Sequence, residues 1–98
     1  MQYGPDDQVD HAAPEPPYRQ LAAILTARIA RGDWQPRRAI PSEARLTQEY
    51  GVARATVRRA IAVLVDQGVV FVVPQRGTFV RPVDDDVDGQ ADDQAGGE

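Results

Sequence analysis

Pro41-Ser42-Glu43, Gly51-Val52 and Arg54-Ala55-Thr56-Val57-Arg58-Arg59-Ala60 follow one another closely in this chain and decide how it folds. Ser42 is a good N-cap, and Glu43 then sits in the positive first turn of the helix it starts. That helix runs to about Tyr50, with Leu46 and Tyr50 as its inward pair, and Gly51 ends it. Only Val52 and Ala53 remain before the next helix, which is expected from about Arg54 to Gln67. Two short helices across a tight Gly turn, the second headed by arginine, are the parts of a helix-turn-helix.

Working outward, the second of these helices carries the clearest pattern in the chain. Val57, Ala60, Ile61, Leu64 and Val65 form an expected apolar stripe, with Ala55, Arg58, Arg59, Ala62 and Asp66 on the other side. Gly68 stands where a C-cap belongs. Val69-Val70-Phe71-Val72-Val73 is short and β-branched, Pro74-Gln75-Arg76-Gly77 carries turn signals, and Thr78-Phe79-Val80-Arg81 completes a hairpin. Upstream, Leu21, Ile24, Leu25 and Ile29 recur at helical spacing from a start near Pro17-Tyr18, and Gly32 follows Arg31 as a stop. Trp34 and Pro36 turn the chain, and Ala39-Ile40-Pro41 predicts a short extended piece. Trp34 and Tyr50 are expected in the core rather than as base-stacking platforms. The expected fold is α+β: a winged helix-turn-helix of three helices plus a C-terminal β-hairpin wing, over residues 18–82.

Charge separates the same three regions. All eleven basic residues are arginines and lie between Tyr18 and Pro82, against four acids there, so the segment carries +7 although the whole chain is −4. The first 17 residues carry −4 and the last 16 carry −7. Both have little to bury and no period, so residues 1–17 and 83–98 are expected to be disordered acidic tails. Asp84, Asp85, Asp86 and Asp88 begin just past the wing, so that tail is expected either to compete weakly with DNA for the arginine face or simply to keep the protein soluble. A segment of about 65 residues is near the lower limit for one unaided core.

Several function classes fall away. There is no cysteine, so disulfides and thiolate metal sites are excluded. No opening basic and apolar run resembles a signal peptide and no stretch approaches a membrane span, so a soluble cytoplasmic protein without membrane contact is the expectation. The one histidine, His11, lies outside the folded part, and no two acids converge, which leaves neither a nucleophile and base nor a metal cluster. An enzyme is not expected, nor is a cofactor or metal.

Arginine-rich surface of this kind suits double-stranded DNA. The guanidinium fork holds guanine through two acceptors, which lysine does less well. Arg54 at the head of the helix and Arg58 one turn on can enter a major groove together, with Arg59 reaching its wall. Arg76 beside Gly77 at a protruding hairpin tip suits a narrow minor groove. Exposed arginines also serve simply to keep a surface soluble.

With those motifs in place, Tyr18 to Pro82 resembles the N-terminal DNA-binding domain of the GntR family of bacterial transcription regulators. The resemblance rests on Pro41-Ser42-Glu43 before Leu46, Gly51-Val52 before Arg54, Thr56-Val57-Arg58 before Ala60, and Gly77-Thr78-Phe79-Val80. It implies that Arg54 and Arg58 read bases or grip phosphates, that Thr56 meets a phosphate, and that Gly77 belongs to a wing in the minor groove. The full set of DNA-binding residues expected on both grounds is Ser42, Arg45, Arg54, Ala55, Thr56, Arg58, Arg59, Gln75, Arg76 and Gly77. The chain departs from the family pattern at Ala44 and Arg45, where the arginine comes one residue late, and at Ala53, which replaces a Ser or Thr cap. Gln75 replaces the first glycine of the wing, and Arg37 the glycine after Pro36. The usual effector-binding domain is not expected in this chain. The function expected is a repressor acting as a homodimer on an inverted repeat; the alternative is a winged-helix module that docks on protein without sequence-specific DNA binding.

Overall fold

Pro17, whose missing N–H is no loss in a first turn, opens helix α1 (Pro17–Arg31) in the computed structural model, which describes residues 3–82. Leu21, Ile24 and Leu25 are fully buried along it. At its end Gly32 takes φ +93°, and the Gly32 and Asp33 N–H groups bond back to the Ile29 and Arg28 carbonyls, a Schellman closure. Arg28 locks this corner to the next helix. Its guanidinium donates to Asp33 at 2.8 Å, Glu49 at 2.9 Å and the Tyr50 hydroxyl at 2.9 Å, and lies 4.4 Å over the Trp34 ring. Trp34 and Tyr50 are therefore packing residues.

Residues 37–40 then run antiparallel to the second hairpin strand, with Arg37 and Ile40 donating to Val80 and Thr78 and Val80 donating to Arg38. Helix α2 (Glu43–Tyr50) is capped by Ser42, whose Oγ accepts from the Arg45 N–H at 3.2 Å, and ends at Gly51 with φ +64°. Helix α3 (Arg54–Asp66) packs against both other helices through Val57, Ala60, Ile61 and Leu64, all buried. It ends in a second Schellman closure, with Gly68 at φ +75° and Val69 donating to Leu64. Strands β1 (Val70–Val73) and β2 (Gly77–Val80) pair antiparallel, Val70 opposite Val80 and Phe71 opposite Phe79. Val70 and Val80 face the core and are buried.

Two expectations are corrected. Val65 belongs outside the apolar stripe: it is 42% exposed, and its neighbour Val63 packs against the core instead. Helix α1 lies along the Val63 side of α3, which widens the buried face in that direction. The N-terminal residues read as a disordered tail form, from Tyr3 to Pro16, a strap laid on the helices. Tyr3 and Val9 pack against the core. Gln20, fully buried on α1, accepts from the Asp10 N–H at 2.8 Å and donates to the Asp10 and Glu15 carbonyls at 2.9 and 2.8 Å. Tyr3 donates its hydroxyl to Glu15 at 3.1 Å, and Asp6 pairs with Arg31 at 3.0 Å. One amide side chain satisfying three backbone groups holds an acidic, proline-rich segment that has little apolar area of its own to bury. The expectation for residues 83–98 lies outside the described residues.

Candidate nucleic-acid interface

Arg54 and Arg58 begin the exposed side of α3, one turn apart, and both are held from α2 by one carboxylate. Arg58 Nε donates to Glu43 Oε1 and Oε2 at 3.2 and 3.3 Å, and Arg54 Nε lies 3.9 Å from Oε1. With side-chain exposures of 63% for Arg58 and 37% for Glu43, this pair contributes less than about 1 kcal/mol to stability. Its consequence is directional. Glu43 engages Arg58 through Nε, so both terminal nitrogens are left for an end-on, two-pronged contact such as guanine presents.

The head of α3 carries no side-chain cap, because Ala53 has no oxygen to offer. Its carbonyl takes the Thr56 and Val57 N–H groups, while those of Arg54 and Ala55, ahead of the first helical bond, have no partner within the helix. An unneutralised helix head next to two guanidiniums is favourable ground for an anion.

The wing meets this helix head from the other side. Arg76 N–H bonds to the Val73 carbonyl at 3.0 Å, and Gln75 takes φ +66° at the third place of that Pro74-led turn. The tip residues Gln75, Arg76 and Gly77 are exposed. Together with Ser42, Glu43, Ala44 and Arg54 they line a cleft of about 500 Å³, with Ile40, Ile61 and Val72 among its walls. Six of the ten expected residues, Ser42, Arg54, Arg58, Gln75, Arg76 and Gly77, are thus gathered at or beside one cleft.

The other four stand apart from it. Arg45 is exposed on α2, Ala55 is exposed on α3, and Thr56 is half-buried. Arg59 points to α1, where its guanidinium lies 4.1 Å over the Tyr18 ring, with Arg19 5.2 Å from the same ring. Stacking on an aromatic face fixes Arg59 without using its hydrogen-bond donors. Two positions missed from sequence follow from this geometry, Glu43 as the holder of Arg58 and Tyr18 as the seat of Arg59. Glu43 and Arg58 are 15 positions apart, so no local pattern signals their meeting. Among the described residues no group of potential metal ligands converges, and no helix is long and apolar enough to cross a membrane.

The family described as bacterial regulatory proteins, gntR family, matches residues 17–80. The chain belongs to the GntR family. Its GntR domain is 42% identical over 67 residues to the mannosyl-D-glycerate transport/metabolism system repressor MngR of Escherichia coli (strain K12), covering 68% of this chain and 28% of that protein. It is 36% identical over 72 residues to the HTH-type transcriptional repressor NagR of Bacillus subtilis (strain 168), covering 74% of this chain and 30% of that one. The chain thus spans under a third of the length of these curated relatives. Among solved structures, the DNA-binding domain of AraR in complex with operator ORR3 is 41% identical, with a TM-score of 0.62 over 64% of this chain and 76% of that one. YtrA from Sulfolobus acidocaldarius, a GntR-family transcription factor, is 34% identical, with a TM-score of 0.68 over 76% and 78%. The GntR domain here is the winged helix-turn-helix expected from the sequence, three helices followed by a two-stranded wing.

Proposed function

We propose that the chain is a sequence-specific DNA-binding transcription regulator, a repressor that acts as a homodimer on an inverted-repeat operator. The observation that carries this is the cleft at the head of α3, which Arg54 lines together with the wing arginine Arg76, while Glu43 in the same lining holds Arg58 beside it. In this reading α3 lies in the major groove. Arg54 and Arg58 read base edges, and Ala55 lies flush against them, offering no bulk at the helix head. Arg76 and Gly77, with Gln75 beside them, enter the adjacent minor groove, where the backbone at Gly77 can approach closely. Ser42, Arg45, Thr56 and Arg59 grip phosphates on the flanks and position the helix without reading sequence. The operator complex of the AraR DNA-binding domain, 41% identical to this chain, supports operator DNA as the ligand, and the repressor names of MngR and NagR support the sign of regulation. Two copies related by a two-fold axis would place their α3 helices about 34 Å apart, one turn of the duplex.

Selection of bound fragments from random DNA, repeated with two variants, tests the division of labour. Arg58→Ala is expected to cost about 1 to 3 kcal/mol and to relax preference at one base pair of each half-site. Arg59→Ala is expected to weaken all duplexes about equally and leave the selected motif unchanged. An unchanged motif with Arg58→Ala contradicts the base-reading role.

A further inference from the structure

The side of the wing that faces away from the helices carries a surface that, Arg76 and Gly77 at its tip apart, the DNA reading does not use. The strand register sets Phe71 opposite Phe79 and Val73 opposite Gly77 on that side, while Val70 and Val80 point into the core. The two rings stack with centroids 5.9 Å apart and planes 22° from parallel. The Arg81 guanidinium lies 5.8 Å over Phe71, and Arg37 and Arg76 join the two rings and Val73 around a cleft of about 420 Å³. Among the described residues no carboxylate pairs with Arg37, Arg76 or Arg81. A half-buried aromatic pair ringed by three unpaired guanidiniums calls for an occupant that is both acidic and apolar.

The chain itself supplies one at the point where β2 ends. Val83-Asp84-Asp85-Asp86-Val87-Asp88 follows Pro82 directly and combines four carboxylates with two valines. An extended run of six residues reaches about 20 Å, enough to pass from Arg81 back along a strand to the tip at Arg76. Tethering at the strand end holds the segment near that face at an effective concentration in the millimolar range, so individually weak exposed ion pairs add up.

We propose that residues Val83–Asp88 fold back over the outer face of the wing, Val83 and Val87 resting on Phe71 and Phe79 and the aspartates pairing with Arg37, Arg76 and Arg81. Docked in this way the segment engages Arg76, which the proposed function assigns to the minor groove, so DNA has to displace it. That consequence rests on the DNA reading; the docking does not. Because the displaced contact is the same for every duplex, affinity falls by one common factor, about 2- to 10-fold for a millimolar site, and selectivity is unchanged.

The test uses the full chain, isotope-labelled for NMR at low salt, beside two variants. V83S/V87S removes the apolar anchors and keeps every charge, and D84N/D85N/D86N/D88N removes the charges. In both, the amide signals of Arg37, Phe71, Phe79 and Arg81 are expected to move in a common direction away from their native positions. The native chain should move the same way as salt is raised to about 0.5 M, where exposed pairs are screened. Changes confined to residues next to the substituted positions overturn the docking, as do shifts that depend on protein concentration, since those place the segment on a second copy. V83S/V87S is also expected to bind random duplex more tightly by the stated factor, without the gain that added positive charge alone would bring. Release of the segment with unchanged DNA affinity overturns the competition. Failure of every form to bind DNA contradicts the proposed function and leaves the docking to stand on the NMR result.

Discussion

Glu43 is where charge and geometry pull in opposite directions. Its carboxylate lowers the positive potential of the cleft, yet its contact with Nε of Arg58 sets the two terminal nitrogens outward. Glu43→Gln is therefore expected to tighten binding to random duplex while reducing selectivity by about 2- to 5-fold, the worth of an exposed ion pair of about 0.5 to 1 kcal/mol. Competition of operator against random DNA measures both at once, and a rise in selectivity would contradict the positioning role. Two other residues store strain. Arg37 at φ +70° and Gln75 at φ +66° each occupy the third place of a Pro-led turn, closed by Arg38 donating to Gln35 and Arg76 donating to Val73. That place favours glycine, and glycine is what the resemblance to the family leads one to expect at both. A non-glycine residue there costs on the order of 1 to 3 kcal/mol; replacement by glycine relieves that strain, and the greater entropy of the unfolded chain offsets part of the gain. Gln75→Gly is expected to stabilise the fold by about 0.5 to 1 kcal/mol and raise Tm by about 2 to 6 °C in thermal melting. The departures were legible in the sequence, but their conformation was not, because a substituted residue hides the positive φ that glycine would have announced.

At the scale of elements, helix limits were the most legible feature. Ser42, Gly32, Gly51 and Gly68 each flank a helix end where a side-chain oxygen or a left-handed residue closes the backbone bonds, so α2 starts at its Ser42 cap and the three helices stop at the glycines. The width of a buried face was less legible. Helical period alone admits Val65 or Val63 as the last member of the α3 stripe, and only the position of α1 selects Val63. The N-terminal strap was hidden for a different reason. It has no apolar period, and its attachment depends on Gln20, a polar residue on the buried side of α1 next to Leu21 and one turn from Ile24. A glutamine in that position was the available signal. Gln20→Ala leaves the Asp10 and Glu15 backbone groups without their partner, each worth about 1 to 3 kcal/mol while it stays buried. The expected result is release of the strap, read by hydrogen exchange as loss of protection at the Asp10 amide with protection in α3 retained. Loss of protection throughout would show that the strap is needed for the whole core.

For the whole molecule the sum of charges misleads and their placement informs. The net −4 of the chain conceals a segment of +7 between two acidic ends. In the folded segment, Arg28 and Arg31 are spent on Asp33, Glu49 and Asp6, which tie α1 to the turn that follows it, to α2 and to the strap. Arg54 and Arg76 line the cleft with Arg58 held beside it by Glu43, while Arg45 is exposed on α2 and Arg59 lies over Tyr18 on the α1 side. This division supports about 3 to 5 phosphate contacts per copy, and a dimer should then show a slope of log K against log salt of roughly −5 to −9. The central claim is that this face binds DNA and reads its sequence. A salt titration of affinity for a duplex selected from random DNA, run beside a scrambled duplex of the same composition, tests it most directly. The account predicts a slope of roughly −5 to −9 on the selected duplex and binding at least about 10³-fold tighter than to the scrambled one; a slope near zero, or equal affinity for the two duplexes, would contradict it.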